Sequence, residues 1–306
     1  MIATSFTRRA LTAASLTLAL FGATACSSTS TAPTQPAAVT ITQTAVKTAS
    51  LSTLTAALTQ AGLAATLDGA GPFTVFAPVN GAFTALPASV VTSLLASGNA
   101  AILTKLLGYH VVSGRYPAAA LTNGQVLTTV EGTSLTVTIA AGVVKVGGAT
   151  VTTADVAASN GVVHLIDGVL LGSLDIVDQA TIRGFSSLTG AATTAGLVAA
   201  LRGGGTAGLT VFAPTNAAFA AIPGGAPSDV ATLASVLKLH VIGARALSSA
   251  LTNGQKLTTL QGPQLTVGIS GTTITVASPS NSATVGPADI VAKNGVIHVI
   301  DKVLLP

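Results

Sequence analysis

Thr74-Val75-Phe76-Ala77-Pro78-Val79-Asn80-Gly81-Ala82-Phe83 recurs as Thr210-Val211-Phe212-Ala213-Pro214-Thr215-Asn216-Ala217-Ala218-Phe219, and this repetition decides how the rest of the chain is read. Ala120-Leu121-Thr122-Asn123-Gly124-Gln125 returns as Ala250 to Gln255. Asn160-Gly161-Val162-Val163-His164-Leu165-Ile166-Asp167 returns as Asn294 to Asp301. The offset is 136 at the first pair, 130 at the second and 134 at the third. The second copy is therefore six residues shorter between its Phe-Asn segment and its first histidine, and it regains four before its last strand. Solvated loops absorb such changes. Each copy has about 133 residues, 39–171 and 174–306, an ordinary domain size.

Within each copy the apolar spacing predicts an α+β domain. Leu51, Leu54, Leu58 and Ala61 fall three and four apart, as do Phe185, Leu188, Ala192 and Ala195, which predicts an opening helix. Leu135, Val137 and Ile139 alternate with threonines, and Leu265, Val267 and Ile269 repeat the alternation, the pattern of half-buried strands. Val162–Ile166 and Val296–Ile300 are almost continuously apolar and predict strands buried on both faces, each entered through a glycine, Gly161 or Gly295. In the opening motif, Pro78 and Pro214 force the preceding residue to be extended and end a strand. Asn80 and Asn216 then suit the N-cap of the next helix, with Phe83 and Phe219 turning back into the core beside the strand residues Phe76 and Phe212.

The composition excludes several classes of function. The chain has 306 residues, 49% apolar and 7% charged, the reverse of a disordered sequence. One cysteine rules out a disulfide framework and any thiolate-rich zinc or iron–sulfur site. Thirteen Lys+Arg stand against nine Asp+Glu, and Arg8 and Arg9 account for two of the cations, so no basic tract remains to follow a nucleic-acid backbone. No run of about 20 apolar residues is present to span a bilayer as one helix.

Residues 1–26 have the parts of a bacterial export signal: Arg8-Arg9, the apolar stretch Ala10 to Gly22, and small residues before Cys26. Residues 27–38 are a Ser/Thr/Pro tether. Ala23-Thr24-Ala25-Cys26 resembles a lipoprotein box, in which the cysteine thiol is acylated; simple cleavage at an A-x-A site is the alternative. The expected location is the cell envelope, lipid-anchored through Cys26.

The repeated motifs resemble those of the fasciclin domain family. Residues 74–83 and 210–219 match its Thr-Val-Phe-Ala-Pro-Thr-Asn-x-Ala-Phe motif, with Val79 as the one departure. Residues 160–170 and 294–304 match its Asn-Gly-Val-hydrophobic-His-hydrophobic-Ile-Asp-x-Val-Leu motif. The family's Tyr-His pair is present as Tyr109-His110, but copy 2 has Leu239-His240. The resemblance implies two tandem fasciclin-like domains, each a wedge-shaped β-sandwich flanked by helices, and a role in adhesion at cell surfaces or in matrix contacts.

The four histidines fall at paired places, His110 with His240 and His164 with His298. His164 and Asp167, like His298 and Asp301, are three apart on a strand, a spacing that points them to opposite faces and away from a shared metal. A core role bonded to neighbouring backbone is the expectation for all of these, with no catalytic residue, metal or cofactor. Asp175 and Asp178 stand at the junction without a partner nearby in sequence, and no Gly-x-Ser-x-Gly elbow is present. The reading is a noncatalytic surface protein whose partner is a protein or polysaccharide, met through an exposed loop at Tyr109-His110. The alternatives are an envelope binding protein holding a small ligand in an inter-domain cleft, and a cell-envelope hydrolase.

Overall fold

The computed structural model describes residues 39–306, all within one compact unit. The expected export signal, Cys26 and the tether lie outside the described residues. Copy 1 opens with α1 (Ile41–Lys47), α2 (Ser52–Gln60) and α3 (Ala64–Leu67), followed by β1 (Phe73–Pro78) and then α4 (Asn80–Thr84), α5 (Ala88–Leu94) and α6 (Ala100–Tyr109). It closes with β2 (Val111–Ser113), β3 (Val126–Thr128), β4 (Ser134–Ala140), β5 (Val143–Val146), β6 (Ala149–Ala158) and β7 (Gly161–Ile166). Copy 2 repeats the order as α7 (Ile176–Ile182), α8 (Ser186–Thr194), α9 (Val198–Gly203), β8 (Leu209–Pro214), α10 (Asn216–Ala220) and α11 (Val230–Leu239). Its remaining strands are β9 (Val241–Ile242), β10 (Lys256–Thr258), β11 (Gln264–Ser270), β12 (Thr273–Ala277), β13 (Ser282–Val285), β14 (Ile290–Ala292) and β15 (Gly295–Ile300). The six-residue shortening of copy 2 removes the counterpart of α5, and non-helical residues 223–228 take its place.

The first sheet runs β2-β1-β7-β6-β5-β4-β3 and the second β10-β11-β12-β13-β15-β8-β9, with β14 on β15. In each, the two motif strands pair in parallel, Phe73 with Gly161 through Pro78 with Ile166, and Leu209 with Gly295 through Pro214 with Ile300. Bridges from Val112 to Thr129 and from Ile242 to Thr259 bring the ends of each sheet together, so each rolls into a barrel-like sandwich. The roll leaves two apolar interiors per copy. Along β1, Val75 and Ala77 face the helical core with Leu54, Leu58 and Leu107, while Phe76 points into the roll with Leu135, Val137 and Ile166. A strand covered on both sides needs apolar residues at every position, which accounts for the uninterrupted runs.

Close backbone approach, more than turn geometry, explains the paired glycines. A Cβ on Gly161 would lie 2.0 Å from the Phe73 carbonyl oxygen, and one on Gly295 2.2 Å from that of Leu209. Asn80 and Asn216 correct the N-cap expectation. Each is the first residue of its own short helix, and its side chain reaches back to a helix start about 30 residues earlier. Asn80 Oδ1 accepts the Thr53 N–H at 3.0 Å while Nδ2 donates to Ala49 O at 3.1 Å. Asn216 bonds in the same way to Ser187 N–H at 3.0 Å and Gly184 O at 2.8 Å. The cap of α10 is Thr215, whose Oγ1 accepts the Ala218 N–H at 3.1 Å; Val79 leaves α4 without that bond.

Candidate functional site

The groups singled out by the repeat lie mostly inside the copies. His110 and His240 follow α6 and α11 directly, and each Nδ1 donates to the carbonyl four residues earlier, Leu106 or Val236, at 2.8 Å. Each Nε2 accepts a backbone N–H from beyond the last strand, Leu170 at 3.0 Å or Leu304 at 2.9 Å. An Nε2 that accepts carries no proton, so both rings are neutral Nδ1–H tautomers. Burial lowers the pKa of each to about 4, against a smaller upward effect of the carbonyl bond.

His164 and His298 sit on β7 and β15 with the opposite tautomer. Nε2 donates at 2.8 Å to Tyr116 O or Ala246 O, and Nδ1 accepts the backbone N–H of Asp155 at 3.2 Å or Asp289 at 3.3 Å. Both aspartates have left-handed backbones, φ 59° and 58°, a conformation that Asp tolerates better than most residues. Phe76 and Phe212 lie against these rings with centroids 5.5 Å apart in each copy. Asp167 and Asp301 lie just past the strands, where Oδ1 accepts Thr150 N–H or Thr284 N–H at 2.7 Å. Ser248 Oγ donates to Asp289 Oδ2, and the hydrogen bond between Asp289 and His298 is made by the Asp289 backbone N–H. Among the described residues, no side-chain hydroxyl or carboxylate is hydrogen-bonded to a histidine, and no group of three His, Asp or Glu is placed to hold a metal.

Two further pairs carry as much of this architecture and were not singled out as sites from sequence. Thr74 Oγ1 donates to Gly114 O at 2.8 Å and accepts Tyr116 N–H at 2.9 Å; Thr210 does the same with Ala244 at 2.7 Å and Ala246 at 2.8 Å. Asn160 accepts the Ile41 N–H at 3.0 Å and Asn294 the Ile176 N–H at 2.9 Å, so each fixes the first helix of its copy to the last strand. Their recurrence at matching positions was the available signal.

The expected exposed loop at Tyr109-His110 is corrected. Tyr109 is the last residue of α6 and 6% exposed, and His110 is 2% exposed. The apolar face of α6 carries both inward, and the Tyr109 hydroxyl donates to Ser134 O at 3.2 Å. Burial, with the nearby Glu131 carboxylate, raises the phenol pKa. Surface apolar character appears elsewhere, at Val130 and Leu260, about half exposed in the same turn of each copy.

Asp175 and Asp178 find their partners far along the chain. Asp175 caps α7 in a reciprocal box with Asp178. Arg202 Nη1 donates to Asp175 Oδ2 at 2.6 Å and Asp178 Oδ1 at 3.1 Å, and Lys105 Nζ of copy 1 donates to Asp178 Oδ2 at 2.7 Å. Two nearly buried carboxylates thus meet two cations, one from each copy. An apolar void in copy 2 beneath Ile176, Leu188 and Val241 measures about 30 Å³, the size of one water and too small for an organic ligand.

The fasciclin domain model matches residues 49–172 and 183–306. Transforming growth factor-beta-induced protein ig-h3 of Sus scrofa is 35% identical over 248 residues, which cover 78% of this chain and 35% of that protein. The chain thus spans about a third of the length of that relative. Protein sll1483 of Synechocystis sp. is 50% identical over 134 residues, 44% of this chain and 74% of that one. The solved FAS1 domain pair of the insect cell adhesion molecule fasciclin I aligns with 77% of this chain and 89% of its own, at 21% identity and a TM-score of 0.39. With both copies matched over nearly their whole length, the chain is a tandem member of the fasciclin domain family.

Proposed function

We propose that this protein is a noncatalytic attachment protein of the cell envelope, held by a lipid on Cys26 and binding protein or polysaccharide partners at the cell surface or matrix through its two fasciclin domains. The observation that carries this reading is the state of the histidines. All four spend both ring nitrogens on backbone groups inside the fold, so the most reactive side chains of the repeat are committed to architecture. What the copies share at their surface is exposed threonine, Thr128 and Thr136 matched by Thr258 and Thr266, and the exposed Val130 and Leu260. The adhesive role of fasciclin domain proteins agrees with such a division. Two copies on one chain reinforce weak contacts, because the second engagement is intramolecular.

The test is binding of the purified Cys26→Ser chain to intact cells and to isolated envelope polymers. Saturable binding without cleavage of any polymer is expected, and prior protease or glycosidase treatment of the surface identifies the partner class. Turnover of an envelope polymer by the purified chain contradicts the proposal.

A further inference from the structure

The junction between the copies is made from groups that each copy possesses on one side only. Helix α7 divides its faces. Ile176 packs into the helical core of copy 2, whereas Ile182, with Leu174 ahead of the helix, packs into that of copy 1. Asp178, one turn before Ile182 on the same face, receives Lys105 of α6 at 2.7 Å. A second contact lies between turns: Lys293, between β14 and β15, donates to Thr133 Oγ1 at 3.0 Å and lies 3.7 Å from the Glu131 carboxylate. Tyr109 lies against the linker, where a Cβ on Gly172 would come within 3.0 Å of its hydroxyl.

The repeat supplies its own control. In copy 1 the counterpart of α7 is α1, which has exposed Gln43 and Lys47 where α7 has buried Asp178 and Ile182, and Ser159 stands where copy 2 has Lys293. On the opposite side, α7 packs on α5, the helix that copy 2 lacks. Copy 2 also has Ser235, Leu239 and Gln261 at the places of Lys105, Tyr109 and Glu131. The docking chemistry is therefore absent from both outward ends of the pair.

We propose that the copies are joined by a one-way docking interface, with a receiving face on copy 1 and an inserting face on copy 2, which makes the tandem one rigid, self-terminated unit. This inference is independent of the attachment reading. It assigns the Tyr109/Leu239 difference and the missing helix to the junction, and it means that neither end accepts a further copy.

Nuclear spin relaxation on the full chain tests it. Both copies are expected to share one rotational correlation time, and sedimentation is expected to show no head-to-tail oligomer. The Asp178→Gln, Ile182→Lys variant, which gives α7 the α1 residues, is expected to release the copies into independent, faster tumbling. The Lys105→Ser, Lys293→Ser variant changes only partly exposed side chains and is expected to act in the same direction with core-strand chemical shifts unchanged. Separate correlation times in the unaltered chain overturn the proposal. So does a shared time that survives in both variants, or an oligomer of the unaltered chain that Lys105→Ser abolishes.

Discussion

His110 accepts the backbone N–H of Leu170 at 3.0 Å, a bond that fastens the end of α6 to the segment leaving β7. His240 and Leu304 repeat it at 2.9 Å. Protonation of Nε2 would set two donors against each other, which is why the neutral ring is the folded form.

This gives stability a pH dependence of defined sign. Burial depresses both folded-state pKa values from 6.5 to about 4, so the unfolded chain takes up protons first as the solution is acidified. Stability is full above the unfolded value and falls through the window from 6.5 to about 4. By linkage the loss between neutral pH and pH 5 is about 2 kcal/mol per histidine. Urea unfolding across that range measures it; a flat profile contradicts the assigned tautomers.

Val79→Thr tests the cap that copy 1 lacks. Val79 has φ −70° and ψ 162°, nearly the −66° and 162° of Thr215, so a threonine hydroxyl there is placed to accept the N–H three residues on. A gain of ~0.5–1 kcal/mol is expected in denaturant midpoint measurements, with the slope unchanged.

Glycines divide sharply by surroundings. Gly161→Ala drives a Cβ onto the Phe73 carbonyl at 2.0 Å and is expected to cost about 3 kcal/mol or more, or to prevent folding. Gly190, inside α8 with nothing within 4 Å of a Cβ, is expected to accept alanine with a gain of ~0.5–1 kcal/mol. Thermal unfolding of the two variants separates them.

The legible part of the molecule was the part with a local period. Leu135, Val137 and Ile139 alternate on β4 because one face is covered, and Val162 to Ile166 do not alternate because β7 is covered on both. Asn80 has the local look of an N-cap because its short polar side chain stands before an apolar turn, while its partner, Thr53, is 27 residues away. Tyr109-His110 carries no local mark of burial in the sequence, whereas in the structure Tyr109 closes α6, His110 caps it and both turn inward. Lys105 and Asp178 are 73 residues apart, and no spacing rule joins them. The copies, compared position by position, did carry that signal, in Lys105 against Ser235 and in the six missing residues.

Attachment measured for the chain and for its Val130→Asp, Leu260→Asp variant, on intact cells and at matched folded fraction, bears most directly on whether activity resides in the outer surface. The account predicts that the variant keeps its fold, because both side chains are about half exposed, and loses attachment at least ~10-fold, because two apolar contacts are replaced by charge. Undiminished attachment by the folded variant contradicts it.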